Sequence, residues 1–209
     1  MVDIATAVQE AETVRKATVD EAPRLATALA RAFYDDPPTI WVAPDDARRM
    51  RVLERFFELF LRKVWLDHDE CHTTDKIVGA AIWELPGQWK LSVMQQLRLF
   101  PALVPIAGRF LPRYIRADTA LQSNHPHEPH HYYLPFFGVE PRWQGRGIGS
   151  ALLRPILDRC DDEGMPAYLE ASTPRNCVLY ERHGFEITEE FKLGKGSPSL
   201  WRMWREPAR

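Results

Sequence analysis

The sequence predicts an α/β domain of the α+β kind, in which a mixed sheet is flanked by helices. Two observations lead to this fold class. Segments with strand-like and helix-like periodicity alternate through the second half of the chain. The 209 residues, 45% of them hydrophobic and 27% charged, suit one globular domain with a sizeable core. Because no repeat or linker divides the chain, we expect a single domain over residues 1–209, with residues 1–11 as a flexible leader.

The N-terminal segments predict one strand followed by two helices. Thr13–Ala17 has strand character, and the next helix begins at a capping box formed by Thr18 and Glu21. The two prolines in Asp35–Thr39 are expected to break this helix. Apolar residues recur at helical spacing after Asp45, so a second helix is predicted there.

The middle of the chain predicts a strand pair and then a helical wall. Two strands meet at the turn Thr74–Lys76, and the second of them covers Ile77–Leu85. Residues 88–116 are apolar with a helical period, and we expect one or two broken helices there that form a lid or side wall. The prolines expected to interrupt this segment are Pro101, Pro105 and Pro112. The polar segment Asn124–His131 is predicted to be a loop.

The C-terminal half alternates strands and helices, and its first strand contains a proline. Pro135 lies within the strand His131–Pro141, and because proline cannot donate to a ladder we expect a bulge at Pro135–Phe137. Gly164 and Gly184 are expected to end the helices that precede them. The elements predicted after this strand are helix Ile148–Glu163, strand Pro166–Ala171, helix Arg175–His183, and strands Phe185–Phe191 and Leu200–Arg205.

The segment QGRGIGS, Gln144 to Ser150, places three glycines at alternate positions before a helix. Glycine permits a concave backbone whose N–H groups converge, and the helix N-terminus adds unsatisfied donors and the positive end of a dipole. These features favour a phosphate or pyrophosphate site, with Arg142 and Arg146 at its rim. A flexible turn is the alternative interpretation.

Two other phosphate-binding loops do not fit this segment. The nucleotide-hydrolase loop requires Gly-Lys-Ser/Thr, whereas Ser150 and Ala151 follow the last glycine. The dinucleotide fingerprint G-x-G-x-x-G differs in spacing from Gly145-x-Gly147-x-Gly149. A third pattern is needed to explain the loop.

The pattern Gln144-x-x-Gly147-x-Gly149, after a strand that ends in Val-Glu-Pro, resembles the pyrophosphate-binding segment of the GNAT acyl-CoA N-acetyltransferases. Further along, Asn176, Tyr180 and a Gly-Phe pair at residues 184–185 match the same family. The resemblance is strong over residues 130–207 and loose in the N-terminal half. Within the family, segments 125–153 and 166–188 resemble the branch that includes puromycin N-acetyltransferase.

The resemblance implies a mostly antiparallel central sheet with helices on both faces and two splayed strands at the CoA site. It also implies direct attack of an amine on the thioester of acetyl-CoA, without a covalent enzyme intermediate. Asn176 would contact the pantetheine arm, Tyr180 would protonate the departing thiolate, and the backbone N–H of Phe137 would polarise the thioester carbonyl. The implied cofactor-binding residues are Phe137, Gly138, Val139, Gln144, Gly145, Arg146, Gly147, Ile148, Gly149, Ser150 and Asn176.

An acidic residue is needed to accept the proton of the attacking amine. Glu170, at the C-terminal end of a strand next to the site, is the first candidate and would act through water. Glu84, near the end of the strand Ile77–Leu85, is the second. For either residue, a solvated or salt-bridged carboxylate at a strand end is the alternative interpretation.

Composition limits the partners of the protein. A formal net charge of −2 argues against a nucleic-acid partner. Three scattered cysteines and the lack of an apolar segment of spanning length indicate a cytoplasmic protein without a membrane partner. The four histidines between residues 125 and 131 lack the spacing of zinc ligands, so no metal is expected.

The predicted function is acetyl-CoA-dependent acetylation of a primary amine on a small molecule. The apolar segment 88–116 supports this choice of acceptor, since it favours a covered pocket over an open groove. Acetylation of a peptide or protein amine is the alternative, and a non-catalytic acyl-CoA-binding protein is a third hypothesis. The sequence does not decide whether the protein forms a homodimer.

Overall fold

The computed structural model describes residues 13–208, so the flexible leader expected over residues 1–11 lies outside the described residues. Within that range seven strands form one sheet. Their bounds are β1 Val14–Lys16, β2 Cys71–Thr74, β3 Gly79–Glu84, β4 Tyr132–Val139, β5 Ala167–Ala171, β6 Glu186–Lys192 and β7 Ser199–Arg205. The spatial order is β1-β2-β3-β4-β5-β7-β6, and every neighbouring pair is antiparallel except β4 and β5. The mixed, mostly antiparallel sheet is confirmed.

Helices cover both faces of this sheet, as expected. Within the described residues they are α1 Ala22–Phe33, α2 Pro37–Val42, α3 Asp46–Lys63, α4 Val93–Ala107, α5 Leu111–Asn124, α6 Ile148–Glu163 and α7 Pro174–Glu181. On one face, α1 and α3 bury side chains such as Leu29 against Ile82 of the sheet. On the other face, α6 and α7 bury side chains such as Leu152 against Leu169. None of these helices is long and apolar enough to span a membrane.

Two helical segments differ from the sequence-based prediction. The expected break at Asp35–Thr39 contains the short helix α2, whose two prolines occupy the first turn, where a backbone N–H is not needed. The sequence predicts breaks at Pro101 and Pro105, but both lie inside α4. This part of α4 is exposed, so backbone carbonyls that lose their helical partners can bind water. The chain breaks instead at Gly108, with φ of 54°.

A bulge in β4 precedes the point where β4 and β5 separate. Phe136 lies opposite Ile82 of β3, whereas Tyr133 lies opposite Glu84, so β4 contains one residue more than β3 in this interval. The extra residue falls at 134–135, one position before the predicted bulge. Beyond the bulge, β4 has no partner strand on its other side among residues 13–208, because its pairing with β5 covers only residues 132–134. The two splayed strands implied by the family resemblance are therefore present.

The close packing of β3 against β4 gives a stability prediction for Gly79. An added Cβ there would lie 2.5 Å from the carbonyl oxygen of Gly138 in β4. A central strand cannot move aside as the end of a side chain can, so Gly79→Ala should lower the free energy of unfolding by about 3 kcal/mol or more. Chemical denaturation measures this change.

Gly196→Ala is the matched control for this substitution. Its Cβ would meet no atom within 4 Å, and only its φ of 76° opposes alanine. That backbone strain should cost about 1–2 kcal/mol. Equal losses for the two variants would contradict the steric argument.

Candidate active site

The backbone of β4 presents polar groups to the gap between β4 and β5. The N–H of Glu140, directly after β4, donates to the carbonyl oxygen of Val78 on the β3 side. Successive residues of a strand direct their backbone groups to alternate sides. The N–H and carbonyl groups of Phe137 and Val139 therefore face the gap. The sequence assigns these two residues to cofactor binding, and their backbone orientation suits that assignment.

The glycine loop lies between β4 and α6 and is open to its surroundings. Gly145 and Gly147 have φ values of 74° and 83°, and an added Cβ at either would meet nothing within 4 Å. Glycine is therefore required by the backbone conformation rather than by crowding. Within the described residues, the N–H groups of residues 145–147 donate to no other backbone group. Together with the first N–H groups of α6, they form a set of donors suited to a phosphate or pyrophosphate.

The side chains around this loop have different roles. Gln144 donates to the carbonyl oxygen of Val139 at 3.0 Å and so ties the loop to β4. Arg142 is paired with the carboxylate of Glu140 at 2.9 Å. Arg146 is exposed, and its guanidinium lies 5.1 Å from the ring centre of Trp143. Of the two arginines expected at the rim, Arg146 is thus the one available to an anion.

Several residues assigned to the cofactor serve the packing beneath it. An added Cβ at Gly149 would lie 3.1 Å from the ring of Phe137, so this glycine brings α6 close to β4. Gly138 lies equally close to α1, where an added Cβ would be 2.8 Å from that of Ala32. Ile148 is buried in the core. The hydroxyl of Ser150 lies 3.0 Å from Nε2 of His183.

Tyr180 lies in the core on the α6–α7 side, next to the gap. Its ring centre is 6.0 Å from that of Phe137 and 5.9 Å from that of Phe185. Burial, and next the negative charge of Asp36, raise the pKa of the Tyr180 hydroxyl above its usual range. The phenol is therefore protonated at neutral pH.

Asn176, one helical turn before Tyr180, joins a chain of hydrogen bonds that reaches α2. Its Nδ2 donates to Oγ of Ser172 at 3.0 Å, and that hydroxyl donates to Oδ1 of Asp36 at 2.5 Å. Burial raises the pKa of Asp36, while the Ser172 hydroxyl acts in the opposite direction. Sequence reasoning missed both Asp36 and Ser172. Asp36 directly before two prolines carries an N-cap signal, which would have pointed to α2 but not to this contact.

A cavity of about 690 Å³, partly open to solvent, lies on the opposite face of the sheet, and α4 and α5 contribute its outer wall. Its wall is largely aromatic and aliphatic, and five carboxylic acid residues line it: Asp36, Asp45, Glu84, Asp118 and Glu170. The aromatic lining residues are Phe33, Phe56, Phe57, Phe60, Trp65, Trp89, Phe100, Phe110, Tyr114, Tyr133 and Phe136. Of the five acids, Glu84 and Glu170 belong to strands of the sheet, and Asp36 directly precedes α2. The lid or side wall predicted from residues 88–116 corresponds to this outer wall.

Glu170, the first candidate base, is a buried carboxylate held by a tyrosine. The hydroxyl of Tyr133 donates to its Oε2 at 2.9 Å, while its Oε1 is shielded from solvent and has no hydrogen-bond partner within the described residues. Burial raises the pKa of Glu170 to about 7, and the hydroxyls of Tyr168 and Tyr133 act in the opposite direction. Tyr133 thus holds one carboxylate oxygen in place, and the other lacks a hydrogen-bond partner among the described residues.

Glu84 is already engaged by a histidine. Its Oε2 lies 2.5 Å from Nδ1 of His68. This hydrogen bond raises the pKa of His68, which favours the charged imidazolium. Glu84, the second candidate base, is therefore bound to a histidine, whereas Glu170 is bound to a tyrosine.

Two of the predicted loop histidines pack together at the edge of the cavity. Nε2 of His125 lies 3.1 Å from Nε2 of His131, and the ring of His125 stacks on Trp89 with centres 3.8 Å apart. Burial, and next the neighbouring His131, lower the pKa of His125 to about 3, so this pair is neutral. Over residues 13–208, no group of three or more potential ligands is placed to hold a metal ion.

Comparison with known proteins agrees with this geometry. The profile of the Acetyltransferase (GNAT) family matches residues 30–185. An uncharacterised N-acetyltransferase of Schizosaccharomyces pombe is 26% identical over 205 residues, which cover 88% of this chain and 79% of that protein. A crystal structure from Corynebacterium glutamicum, described as histone acetyltransferase HPA2 and related acetyltransferase, has 28% identity and a TM-score of 0.72, covering 94% of this chain and 97% of that one.

A Drosophila melanogaster polyamine N-acetyltransferase shares the fold, with 16% identity and a TM-score of 0.61 over 93% of this chain and 99% of that one. The GNAT acetyltransferases use acetyl-CoA. The chain belongs to the GNAT family and is an acyl-CoA N-acetyltransferase.

Proposed function

We propose that this enzyme transfers the acetyl group of acetyl-CoA to a primary amine of a small, largely apolar molecule. The observation that carries the proposal is Glu170, whose pKa is raised to about 7 at the wall of an aromatic cavity. A carboxylate with this pKa can accept a proton from an ammonium ion near neutral pH. An aromatic cavity with a few polar groups suits an apolar amine.

The glycine loop and the β4–β5 gap support acetyl-CoA as the donor, which supplies an activated acyl group and a thiolate leaving group. The N–H groups of Gly145 to Ser150 would hold its pyrophosphate, with Arg146 at the rim. The carbonyl group of Phe137 and the N–H of Val139 would hold the pantetheine arm, and the Phe137 N–H would donate to the thioester carbonyl oxygen. We propose that Gly138, Gln144, Ile148 and Gly149 shape these sites through packing and loop closure.

Glu170 is proposed as the general base. Tyr133 holds one of its carboxylate oxygens, which leaves Oε1 to accept the proton directly or through water. Only the ionised carboxylate can do this, so activity should rise as the pH increases through about 7. The carboxylate of Asp36 also faces the cavity and would favour an amine that arrives as a cation.

Tyr180 is proposed as the general acid. Its raised pKa keeps the phenol protonated, as a proton donor to a thiolate must be. Asn176 lies one turn away, and its amide is oriented by Ser172, which in turn is held by Asp36. We propose that this chain of hydrogen bonds positions Asn176 for the pantetheine arm.

The cover formed by α4 and α5 favours a small molecule over a peptide as the acceptor. A peptide substrate needs an open groove, whereas these helices contribute an outer wall to the cavity. The Drosophila enzyme of the same fold forms N-acetylagmatine, a product of a small amine. The resemblance to the branch that includes puromycin N-acetyltransferase makes puromycin a specific acceptor to test.

A screen of acceptor amines, followed by release of the CoA thiol, tests the proposed function. Primary amines with an aromatic or long alkyl group, puromycin included, should react faster than short polar amines and than peptides with a free N-terminus, because they fill the aromatic cavity. Preference for the peptides would contradict the small-molecule acceptor. Absence of thiol release with every amine, together with a melting temperature unchanged by acetyl-CoA, would contradict the reaction itself.

Glu170→Gln tests the base through the pH dependence of kcat/KM. The wild-type rate should rise through about pH 7 as Glu170 loses its proton, and the variant should lose this limb of the profile along with much of its activity. Glu84→Gln is the matched control and should keep the limb, since the Glu84 carboxylate is bound by His68. The assignment is wrong if Glu84→Gln flattens the limb and Glu170→Gln retains it.

Tyr180→Phe tests the proposed role of Tyr180 as the general acid. Turnover should fall by about 10²-fold, whereas the affinity for acetyl-CoA should change little, because the hydroxyl acts on the leaving group. Tyr132→Phe is the control, since this buried tyrosine donates instead to Glu163 of α6. Steady-state kinetics and cofactor titration give the two quantities. Wild-type turnover in Tyr180→Phe would remove the proposed role.

A further inference from the structure

A stripe of apolar side chains lies on the outer face of α4. Val93, Leu97, Phe100 and Val104 recur at helical spacing, which puts them on one side of the helix. Their exposed fractions are 74%, 62%, 48% and 38%, and Met94 beside them is exposed as well. A contiguous exposed stripe of this kind marks an interaction site more often than single exposed apolar residues do.

The stripe is not needed to hold α4 in place. The opposite side of the helix carries Leu99, Leu103 and Ile106, which are buried. A surface helix normally has one apolar face, turned to the core, and a polar face turned to water. The second apolar face of α4 therefore has no role in the fold of the described residues.

The segment around the stripe is strongly basic. Between Leu85 and Ala117 there are five lysines and arginines and no acidic residue, in a chain whose formal net charge is −2. The basic residues are Lys90, Arg98, Arg109, Arg113 and Arg116. Arg109 lies 3.7 Å from the carboxylate of Asp45, whereas Lys90, Arg98 and Arg116 are exposed and form no ion pair within residues 13–208.

The positive charge around the stripe indicates what kind of partner binds it. A second copy of the chain packing on the same face across a two-fold axis would bring like charges together. An apolar stripe on a helix with basic residues beside it is instead the pattern of helices that lie in the interface of a bilayer containing anionic lipids. We propose that the outer face of α4, together with Lys90 and Arg98, docks on anionic lipid membranes.

The cavity reaches the protein surface beside this stripe. Lys90 and Phe100 are exposed, and both also line the cavity. Docking through α4 would therefore place this rim of the cavity next to the lipid surface. Membrane docking departs from the sequence-based expectation of no membrane partner, which depended on the lack of a spanning segment. Surface docking needs an exposed apolar face with basic residues beside it and no such segment.

Vesicle co-sedimentation of the full chain tests the proposal without an acceptor amine. Wild-type protein should sediment with vesicles of phosphatidylcholine and phosphatidylserine, less with vesicles of phosphatidylcholine alone, and less as salt is raised. The double variant Val93→Gln/Leu97→Gln removes exposed apolar groups while keeping good helix formers. It should bind the anionic vesicles about tenfold more weakly or worse. Lys90→Gln/Arg98→Gln should weaken binding and reduce its salt dependence.

Ile187→Gln is the matched control, because Ile187 is a 46% exposed apolar residue on β6, away from α4. It should bind vesicles like the wild type. Melting temperatures confirm that all variants fold, and CoA release with a soluble amine should be equal for Val93→Gln/Leu97→Gln and the wild type. Failure of the proposed acetylation would abolish thiol release but leave vesicle binding unchanged.

Three results would overturn membrane docking: no sedimentation of the wild type with anionic vesicles, undiminished binding by both double variants, or equal loss of binding in Ile187→Gln. Sedimentation velocity tests whether a second copy of the chain occupies this surface instead. A wild-type dimer that Val93→Gln/Leu97→Gln converts to a monomer would assign the stripe to contacts between copies instead.

Discussion

The early separation of β4 from β5 is the constraint on which the candidate site depends. Tyr132, at the start of β4, donates to Pro166 on the β5 side, and pairing with β5 stops two residues later. The bulge at residues 134–135 then reverses the alternation of the strand, so that odd-numbered residues face the gap. Pro135 suits this position because it has no N–H to leave unpaired. Without the bulge, the backbone groups of Phe137 and Val139 would be used in the sheet.

The gap links two unlike environments. On one side of the sheet lie the glycine loop and Tyr180; on the other lies the aromatic cavity with Glu170. Moving the pKa of Glu170 from its ordinary 4.5 to about 7 corresponds to about 3 kcal/mol. Because the raised pKa belongs to the folded state, this amount of stability is lost as the pH rises from 4.5 to 7. We infer that this loss of stability is retained because a base with a pKa near 7 serves the proposed reaction at this position.

Local patterns predicted most of the elements and the glycine loop, because turn glycines, capping residues and periodicity act within a few residues. They also pointed to Glu170, since the end of a strand beside a splay is fixed by topology. They missed α2 and the continuity of α4 through Pro101 and Pro105. They did not predict the contact between Ser172 and Asp36, which are 136 residues apart. Nor did they predict that His68 would engage Glu84, or that Tyr133 would hold Glu170. Such contacts depend on how separate elements pack, which periodicity does not specify.

The most direct test of the account is a crystal structure of the enzyme with acetyl-CoA and an unreactive analogue of the acceptor amine. We expect the pyrophosphate at the N–H groups of residues 145–150 and the thioester carbonyl oxygen within hydrogen-bonding distance of the Phe137 N–H. The acceptor should lie in the aromatic cavity, with its nitrogen near Oε1 of Glu170 or joined to it by one water. A cofactor bound outside the β4–β5 gap, or an acceptor that reaches the thioester without entering this cavity, would contradict the account.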